Sequence, residues 1–479
     1  MTDDRWRSPL GSRYASPAMQ RLWGEPHRIG LWRRVWLALA ESERELGLDI
    51  PETAVREMRA HLDDADLATA AEYERRFRHD LMAHVHHFGD QAPAARPFLH
   101  LGATSAFVTD NADLLVIREG LRLVLGRLLG VLDALGTFAK AHAAEPCLAY
   151  THFQPAQLTT VGKRATLWMQ DFATDVEELS HRIESLRLRG CKGTTGTQAS
   201  FLELFGGDHA KVRELDRLVA ERLGVGRTWP VTGQTYTRKA DSAVLDALSG
   251  VAQSASKMAC DLRLLQHEGE LLEPFESEQI GSSAMAYKRN PMRAERINGL
   301  ARFVMSLQAN TAQTAASQWL ERTLDDSANR RLTLPEAFLA TDAILILAGN
   351  IAAGLEVRPE VIRRHVAAQM PFMATERWLM LGVSAGGDRQ ALHEVVRKHS
   401  LAVADGVARG EANDLMDRLA GDPAFAKLPA GALKAELDPA RYTGRAREQV
   451  AEFLGEYAQP LITRARPLAV APETTEVRV

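Results

Sequence analysis

A loop rich in glycine, serine and basic residues lies between residues 281 and 291. It reads Gly-Ser-Ser-Ala-Met-Ala-Tyr-Lys-Arg-Asn-Pro, and no apolar period runs through it, which predicts a loop rather than a helix or strand. The backbone amides of residues 281–283 and the Lys288 ammonium can converge on one anion. A solvated surface loop is the alternative that composition alone leaves open.

His152 is the second candidate for chemistry. It lies in Thr-His-Phe-Gln-Pro-Ala-Gln, residues 151–157, directly before a helical pattern. A histidine flanked by hydroxyl and amide groups at the start of a helix can be held in one orientation and can titrate near neutral pH, as a general acid must. A capping or core histidine is the alternative.

Residues 189–198 form a second loop with ligand-binding character. They read Arg-Gly-Cys-Lys-Gly-Thr-Thr-Gly-Thr-Gln, so glycines let backbone amides face a ligand and threonine hydroxyls add donors. The Gly-Lys-Ser/Thr of a phosphate-cleaving Walker A loop is absent, which argues against nucleoside triphosphate hydrolysis. A flexible turn between helices is the alternative.

A metal site has to be considered at Asp80, His84 and His87, which recur at helical spacings of four and three. Neither a His-Glu-x-x-His pattern nor a cysteine ligand accompanies them. We therefore expect no metal.

Long helices are predicted to position these motifs. Apolar residues recur in steps of three and four over residues 114–135, 161–186 and 244–265, which puts one apolar stripe on each of three long helices. Two more helices are predicted at about 293–316 and 334–355. Strand patterns are scarce, so we expect an all-α fold with a bundle of about five long helices. Such stripes need partners on more than one side, which favours oligomerisation over a monomeric bundle.

Shorter helical patterns flank the bundle. They predict an N-terminal helical domain at 1–111, a central bundle domain at 112–355 and a C-terminal helical domain at 356–479. The 58 basic and 62 acidic residues nearly cancel, so no attraction to nucleic acid or membrane is expected. Three widely spaced cysteines, a polar segment at residues 1–7 and the absence of an apolar run of about 18 residues predict a cytoplasmic protein.

These motifs together resemble the fumarase/aspartase superfamily, whose signature loop is Gly-Ser-Ser-x-Met-Pro-x-Lys-x-Asn-Pro. Ala286 stands where the family normally has proline. Residues 151–157 match the family's Thr-His-x-Gln-x-Ala-Gln. The runs at 12–17 (Ser-Arg-Tyr-Ala-Ser-Pro), 78–86 (Arg-His-Asp-Leu-Met-Ala-His-Val-His) and 321–331 (Glu-Arg-Thr-Leu-Asp-Asp-Ser-Ala-Asn-Arg-Arg) are similar to the adenylosuccinate lyase branch, and most of all to its animal-type enzymes.

The resemblance implies a three-domain fold with a central long-helix bundle, assembled as a homotetramer whose active sites are shared between subunits. It implies elimination of fumarate from two phosphorylated substrates, adenylosuccinate and succinylaminoimidazole carboxamide ribotide (SAICAR), without cofactor or metal.

The resemblance also assigns roles to residues. Ser282 would be the base and His152 the acid, with Glu295 supporting the charged form of His152. His79 would assist near the phosphate or leaving group. Lys288 and Asn290 would stabilise the carbanion, and the loop at 189–198 would hold the dicarboxylate end of the substrate. The remaining substrate contacts would be Arg13, Tyr14, Arg78, Asp80, Thr104, Ser105, Gln234, Arg296, Arg322, Ser327 and Arg331, of which Arg13, Tyr14, Arg322, Ser327 and Arg331 would bind the phosphate.

Two alternatives remain at this point. The chain could be another fumarate-releasing lyase, such as one acting on argininosuccinate, or a catalytically inactive structural relative. The arginine-rich phosphate set argues against the first. The presence of every proposed catalytic residue of the two motifs argues against the second.

Overall fold

Long α-helices make up most of the structure, a computed structural model that describes residues 5–473 and residue 477. The described chain is 67% helical and 4% strand, which confirms the predicted all-α class. The predictions for the chain termini extend to residues 1–4, 474–476 and 478–479, which lie outside the described residues.

Five helices precede the bundle, after a single helical turn at Leu10–Tyr14. They are α1 (Pro17–Trp23), α2 (Glu25–Glu45), α3 (Glu52–Ala60), α4 (Leu67–Phe77) and α5 (Asp80–Gln91).

The central part contains the five long helices and several short elements. In chain order these are α6 (Ser105–Ala141), β1 (Pro146–Thr151), β2 (Gln154–Thr160), α7 (Val161–Ser185), α8 (Ala199–Leu204), α9 (His209–Arg222), α10 (Lys239–His267), β3 (Leu271–Leu272), α11 (Met292–Ala316) and α12 (Asp325–Gly354).

The C-terminal part begins with β4 (Glu356–Val357), which pairs with β3 in an antiparallel ribbon. It continues with α13 (Pro359–Met373), α14 (Thr375–Ser384), α15 (Arg389–Ala408), α16 (Leu415–Ala420), α17 (Ala432–Ala435), α18 (Ala446–Glu452) and α19 (Gln459–Ala465).

The apolar stripes read from the sequence form the core of the bundle. Every stripe residue of α6, from Leu114 to Leu135, is at most 3% exposed, and the stripes of α7 and α10 are also buried. In the bundle α6 packs on α7 and α12, α10 packs on α7 and α11, and α11 packs on α12. Each Å² of apolar surface that is buried contributes about 25 cal/mol to the free energy of folding. The packing of these stripes is therefore the main stabilising contribution to the bundle.

Two predicted boundaries differ from the structure. Helix α12 begins at Asp325, nine residues before the predicted start at 334, because Pro335 is accommodated inside the helix and its N-terminal turns are polar. The expected domain limit at residues 111 and 112 falls inside α6, which begins at Ser105. The division into three domains stays a prediction.

Helix α12 is also apolar enough, by length and composition alone, to span a membrane. It is the one such helix among the described residues, and 67% of its apolar window is buried inside the structure. This burial is what a core helix of a bundle requires.

Candidate active site

The predicted signature loop lies between β3 and α11 and contains neither helix nor strand. One hydrogen bond joins its two ends, and another joins its C-terminal end to α10. The Asn290 side-chain amide donates to the Gly281 carbonyl oxygen at 2.8 Å, and Gln266 Nε2 donates to the Arg289 carbonyl oxygen at 2.8 Å. A Cβ placed on Gly281 would lie 2.1 Å from the Lys288 carbonyl oxygen, so only glycine permits this closure. The loop is therefore fixed at its base, while residues 283–288 are exposed.

Ser282 lies at the N-terminal base of this loop and is half-buried. Its Oγ accepts a hydrogen bond from the Met285 backbone N–H at 3.1 Å. A backbone donor aimed at the serine oxygen strengthens when that oxygen becomes anionic, which is what a serine base requires. Lys288 and the side chain of Tyr287 are exposed on the outer part of the loop.

A carboxylate that the sequence analysis did not single out fixes the start of α11. Glu273 is buried, and its two oxygens accept the backbone N–H groups of Arg293 and Ala294, each at 3.0 Å. The fully buried Arg293 in turn pairs with Glu276. Helix N-termini favour such anionic acceptors. The acidic run at 273–276, directly before the loop, was the available sequence signal.

His152 occupies a β-turn, not the helix mouth predicted for it. Strands β1 and β2 pair antiparallel from Pro146 with Thr160 to Thr151 with Gln154, which leaves His152 and Phe153 as a two-residue turn. Their φ angles are +53° and +57°, the left-handed values that a tight hairpin of this type needs. Each such non-glycine residue costs on the order of 1–3 kcal/mol, so the turn holds an exposed histidine at its tip against a backbone preference.

His79 begins α5 and follows a left-handed residue, Arg78, with φ +57°. The Nδ1 atom of His79 accepts the Met82 backbone N–H at 3.3 Å, so in this arrangement Nδ1 is unprotonated and Nε2 carries the ring proton. Asp80, the next residue, accepts a hydrogen bond from Arg331 at 2.9 Å. This ion pair joins the start of α5 to α12, and it brings two predicted substrate residues together.

A cavity of about 410 Å³ lies beside this ion pair. Its lining includes three of the predicted phosphate ligands, Arg322, Ser327 and Arg331. Three further donors on its lining residues, Trp23 Nε1, Arg28 Nε and Trp32 Nε1, are buried and have no hydrogen-bond partner among the described residues. Four carboxylates also line the cavity, those of Glu25, Asp110, Asp113 and Asp326, and each lies within 4.0 Å of an arginine. Buried unpaired donors cost free energy unless a ligand or water accepts from them, so the three unpaired donors remain available to an anion.

The sequence analysis missed these three donors. The sequence does show two tryptophans and an arginine within residues 23–32. Their spacing alone, however, is typical of the apolar face of a helix and does not indicate a ligand site.

Three more predicted ligands, Arg13, Tyr14 and Arg296, lie close together beside α12. The helical turn that contains Arg13 and Tyr14 contacts α12, and the Arg296 guanidinium lies 5.2 Å from the centre of the Tyr14 ring. Burial lowers the pKa of Arg296, and the nearby Arg13 lowers it further. Two neighbouring cations at one site raise the local attraction for an anionic group.

Gln234 and the loop at 189–198 are held in one assembly of backbone contacts. The Gln234 N–H donates to the Glu321 carbonyl at 2.9 Å, and its own carbonyl accepts from Arg189 Nε at 2.7 Å. Lys192 is buried and pairs with Asp216 at 2.6 Å, so its charge serves the fold. The hydroxyls of Thr194, Thr195 and Thr197 remain on the exposed side of the loop.

Thr104 and Ser105 lie at the start of α6, half-buried, and neither hydroxyl group has a hydrogen-bond partner within the described part of the chain. The preceding His100 accepts the Trp36 indole N–H at 3.0 Å. Burial, together with the nearby His79, lowers the pKa of His100 to about 4. A neutral His100 therefore buttresses the segment from which these two hydroxyls project.

Asp80, His84 and His87, which were considered as a metal site, each contact other residues of the protein. His87 Nε2 accepts the Asp66 N–H at 3.0 Å, His84 stacks edge-on against Trp32, and Asp80 pairs with Arg331. Among residues 5–473 and 477, no group of three or more histidine, cysteine or acidic side chains is arranged to hold a metal ion.

The structure thus brings the predicted residues into several groups within one chain. The groups are Asp80 with Arg322, Ser327 and Arg331; Arg13 and Tyr14 with Arg296; and Ser282, Lys288 and Asn290, with Glu295 in the first turn of α11. No hydrogen bond or ion pair within the described residues joins His152 to Ser282, His79 or Glu295.

Comparison with known proteins agrees with these motifs. A family model described as "Lyase" matches residues 33–306, and one described as "Adenylosuccinate lyase C-terminus" matches residues 371–453. The adenylosuccinate lyase of Saccharomyces cerevisiae is 49% identical over 455 residues, covering 94% of each chain. That of Schistosoma mansoni is 47% identical over 462 residues, covering 96% of each.

The fold itself recurs in solved structures. A 3-carboxy-cis,cis-muconate lactonizing enzyme from Pseudomonas putida superimposes with a TM-score of 0.81 at 25% identity, over 95% of this chain and 99% of that enzyme. On the sequence identity to full-length relatives and on both family matches, this chain belongs to the adenylosuccinate lyase family of the fumarase/aspartase superfamily.

Proposed function

We propose that this chain eliminates fumarate from adenylosuccinate, giving AMP, and from SAICAR, giving the free aminoimidazole carboxamide ribotide. The family membership supports the reaction class. The observation that carries the choice of substrate is the cavity at the start of α12, where Arg322, Ser327 and Arg331 lie together with three unpaired buried donors. Both proposed substrates carry a phosphate, whereas argininosuccinate does not.

Ser282 is the proposed base. It takes a proton from the carbon next to a carboxylate, and the electrons of that C–H bond remain as a carbanion whose charge spreads onto the carboxylate. They then form the new double bond as the C–N bond breaks and its electron pair leaves with the nitrogen. The Met285 N–H, which donates to Ser282 Oγ, stabilises the serine oxygen as it becomes anionic. Lys288 provides positive charge on the same loop, and it stabilises the carbanion as charge spreads onto the substrate carboxylate.

His152 is the proposed acid. It gives a proton to the leaving nitrogen, a contribution of about 10²–10⁴-fold to the rate. Glu295, exposed in the first turn of α11, supports the charged imidazole. His79, with Nε2–H as its available donor, binds near the phosphate or the leaving group.

The other predicted residues form the substrate shell. Arg13 and Tyr14 complete the phosphate site with the α12 set. Arg78, Asp80, Thr104, Ser105, Gln234, Asn290 and Arg296 bind the rest of the substrate, together with the exposed threonines of residues 194–197.

We further propose a homotetramer with D₂ symmetry, in the cytoplasm, in which His152 and Ser282 of one site come from different chains. Two features support the sharing. His152 is exposed at a hairpin tip and has no bond to the other catalytic residues of its own chain. Large apolar side chains are also exposed around the bundle and the loop, including Leu264 on α10 and Ile280 and Tyr287 at the signature loop. Symmetric association would bury them.

The direct test is a spectrophotometric assay with adenylosuccinate and, separately, with SAICAR and argininosuccinate. We expect turnover of the first two only. Turnover of argininosuccinate would replace the proposed substrate, and a folded enzyme without activity on any of the three would favour the inactive relative.

The roles of the two catalytic residues and the shared site are tested together. We expect His152→Ala and Ser282→Ala each to lose nearly all activity with an unchanged fold, and mixtures of the two variants to regain part of it after subunit exchange. Unchanged turnover in one variant would remove that residue from the mechanism. A monomer in light scattering, or confirmed hybrids without activity, would refute the shared site.

A further inference from the structure

A second cavity, of about 480 Å³, lies outside the proposed active site. Its walls come from α6, the C-terminal end of α7, the N-terminal end of α10 and the segment around residue 229. We call it the basic cavity, because Arg182, Arg187, Arg227 and Lys239 line it together with His181.

The charge of the basic cavity is poorly balanced by the protein. Asp241 is the one carboxylate among its lining residues, and that carboxylate is engaged by Arg330 at 2.7 Å and by the Tyr236 hydroxyl at 2.6 Å. Arg182 pairs with Glu178 at 2.6 Å. The side chains of Arg187, Arg227 and Lys239 have no ion pair or hydrogen bond within the described residues.

Three uncompensated cations around one concave surface attract an anion more strongly than the same charges would on a flat surface. Guanidinium groups match the oxygens of carboxylate and of phosphate in pairs. A phosphate carries more negative charge and more acceptor oxygens than one carboxylate, so it can engage more of the three cations at once.

The remaining walls add an aromatic and apolar component. Trp229 lines the cavity, and its indole Nε1 is buried without a hydrogen-bond partner in the described structure. Its backbone N–H donates to the Leu188 carbonyl at 2.8 Å, which anchors the residue at this place. Leu114, Ile117 and Val244 provide the apolar surface. An inorganic ion would leave this part of the cavity unused, whereas a heterocyclic base would cover it and accept from the indole N–H.

We propose that the basic cavity is a second nucleotide site, which binds a nucleoside phosphate with its phosphate on Arg187, Arg227 and Lys239 and its base against Trp229. The site is distinct from the substrate phosphate set. Asp241 and Arg330 form the partition between the two, since Asp241 lines the basic cavity and Arg330 lines the cavity at the start of α12. The basic cavity itself is argued without the catalytic function, whereas the expectation of another AMP site in the active site rests on the proposed function.

Equilibrium binding of AMP to the full-length assembled enzyme, by calorimetry, tests the proposal. We expect two AMP sites per chain. The double variant Arg227→Gln/Lys239→Gln should weaken one of them at least tenfold, which is about 1.4 kcal/mol of binding free energy, because two cationic donors to the phosphate are removed. Both residues are exposed, so the fold should be retained. The matched control Arg213→Gln/Lys434→Gln removes one arginine and one lysine from exposed positions elsewhere and should leave both sites intact.

A third variant separates this site from the active site. Arg322→Gln/Arg331→Gln should abolish lyase activity and the other AMP site while keeping the site in the basic cavity. If Arg227→Gln/Lys239→Gln binds AMP with the stoichiometry and affinity of the wild type, the second site does not exist. Full lyase activity in Arg322→Gln/Arg331→Gln would refute the proposed substrate phosphate site. It would leave the site in the basic cavity supported, provided that Arg227→Gln/Lys239→Gln weakens AMP binding.

The base contact is tested with inorganic pyrophosphate as the competing ligand and with Trp229→Phe. The variant keeps an aromatic ring and removes the indole donor, and we expect weaker AMP binding with unchanged pyrophosphate binding. AMP binding that is unaffected by Trp229→Phe and no tighter than pyrophosphate binding would overturn the nucleoside part of the proposal.

Discussion

Asp175 places a carboxyl group in the contact between α7 and α10, where little solvent can reach it. The side chain is 8% exposed, and its Oδ2 has no hydrogen-bond partner among the described residues. A Cβ placed on Gly250 of α10 would lie 2.9 Å from Oδ1, so the carboxyl group packs closely against the backbone of the opposing helix. The pKa of Asp175 is raised to about 7, chiefly by burial; the nearby Asp171 also raises it, and a hydrogen bond from Ser254 lowers it.

This raised pKa makes the free energy of unfolding depend on pH. The folded chain holds the proton more tightly than the unfolded chain, whose carboxyl has the usual pKa of 3.8. Stability is therefore fully present below the unfolded pKa, falls as the pH rises, and is constant above the folded pKa. A shift of about three units corresponds to a loss of about 4 kcal/mol, of which about 2 kcal/mol falls between pH 5 and pH 7.

Asp175→Asn removes this titration and keeps the shape of the side chain. We expect the variant to gain about 3 kcal/mol relative to the wild type between pH 5 and pH 8. The measurement is the thermal unfolding midpoint at a fixed scan rate, because chains of this size often unfold irreversibly. The control is Glu177→Gln on the same helix, whose exposed carboxylate accepts only the Tyr457 hydroxyl, at 3.4 Å. Parallel pH profiles for wild type and Asp175→Asn would refute the reasoning.

Three further changes test other parts of the structure. Glu43 is fully buried, both its oxygens lack partners in the described chain, and burial raises its pKa to about 9. Glu43→Gln should therefore raise the unfolding midpoint above that of the wild type by an amount that grows between pH 5 and pH 9. Equal midpoints for variant and wild type over this pH range would contradict the prediction. Asn290→Ala removes the hydrogen bond to Gly281, worth about 1 kcal/mol, and should speed hydrogen exchange of residues 281–291 and lower activity; unaltered exchange would show that the amide does not hold the loop. We also expect the exposed part of the loop to be mobile without ligand, so Ala286→Pro should slow that exchange by restricting the unbound loop. Strong protection of residues 281–290 in the free wild type would contradict the expected mobility.

The bundle was predictable because its signal is local and redundant. Each stripe repeats the same step of three and four residues over more than five turns, and one polar substitution would not hide it. The start of α12 was not predictable on the same grounds. Residues 325–331 are polar because they face a cavity and pair with charged groups, so the helix there carries no apolar period.

The hairpin that carries His152 was missed for a related reason. A half-buried strand is recognised by alternation, but the first four residues of β2 are all exposed. The turn itself has His152 and Phe153 where sequence rules expect asparagine or glycine. The proposed role of His152 as the acid would account for the failure of the local rule at this position.

Partners far apart in the chain were also beyond the sequence analysis, and they alter what a predicted residue can do. Asp326 is buried and accepts from both Arg238, at 2.7 Å, and Arg322, at 3.0 Å, while Asp110 accepts from Arg238 at 3.0 Å. Part of the charge on Arg322 is therefore already compensated by Asp326. Among the described residues, Arg331 is paired only with the partly exposed Asp80. An incoming phosphate competes more easily with an exposed carboxylate than with a buried one, because the buried ion pair would be broken at a cost of about 3–5 kcal/mol. Of the two arginines, Arg331 is thus the one whose present partner a substrate can displace, and Arg322 contributes a fixed, partly neutralised charge.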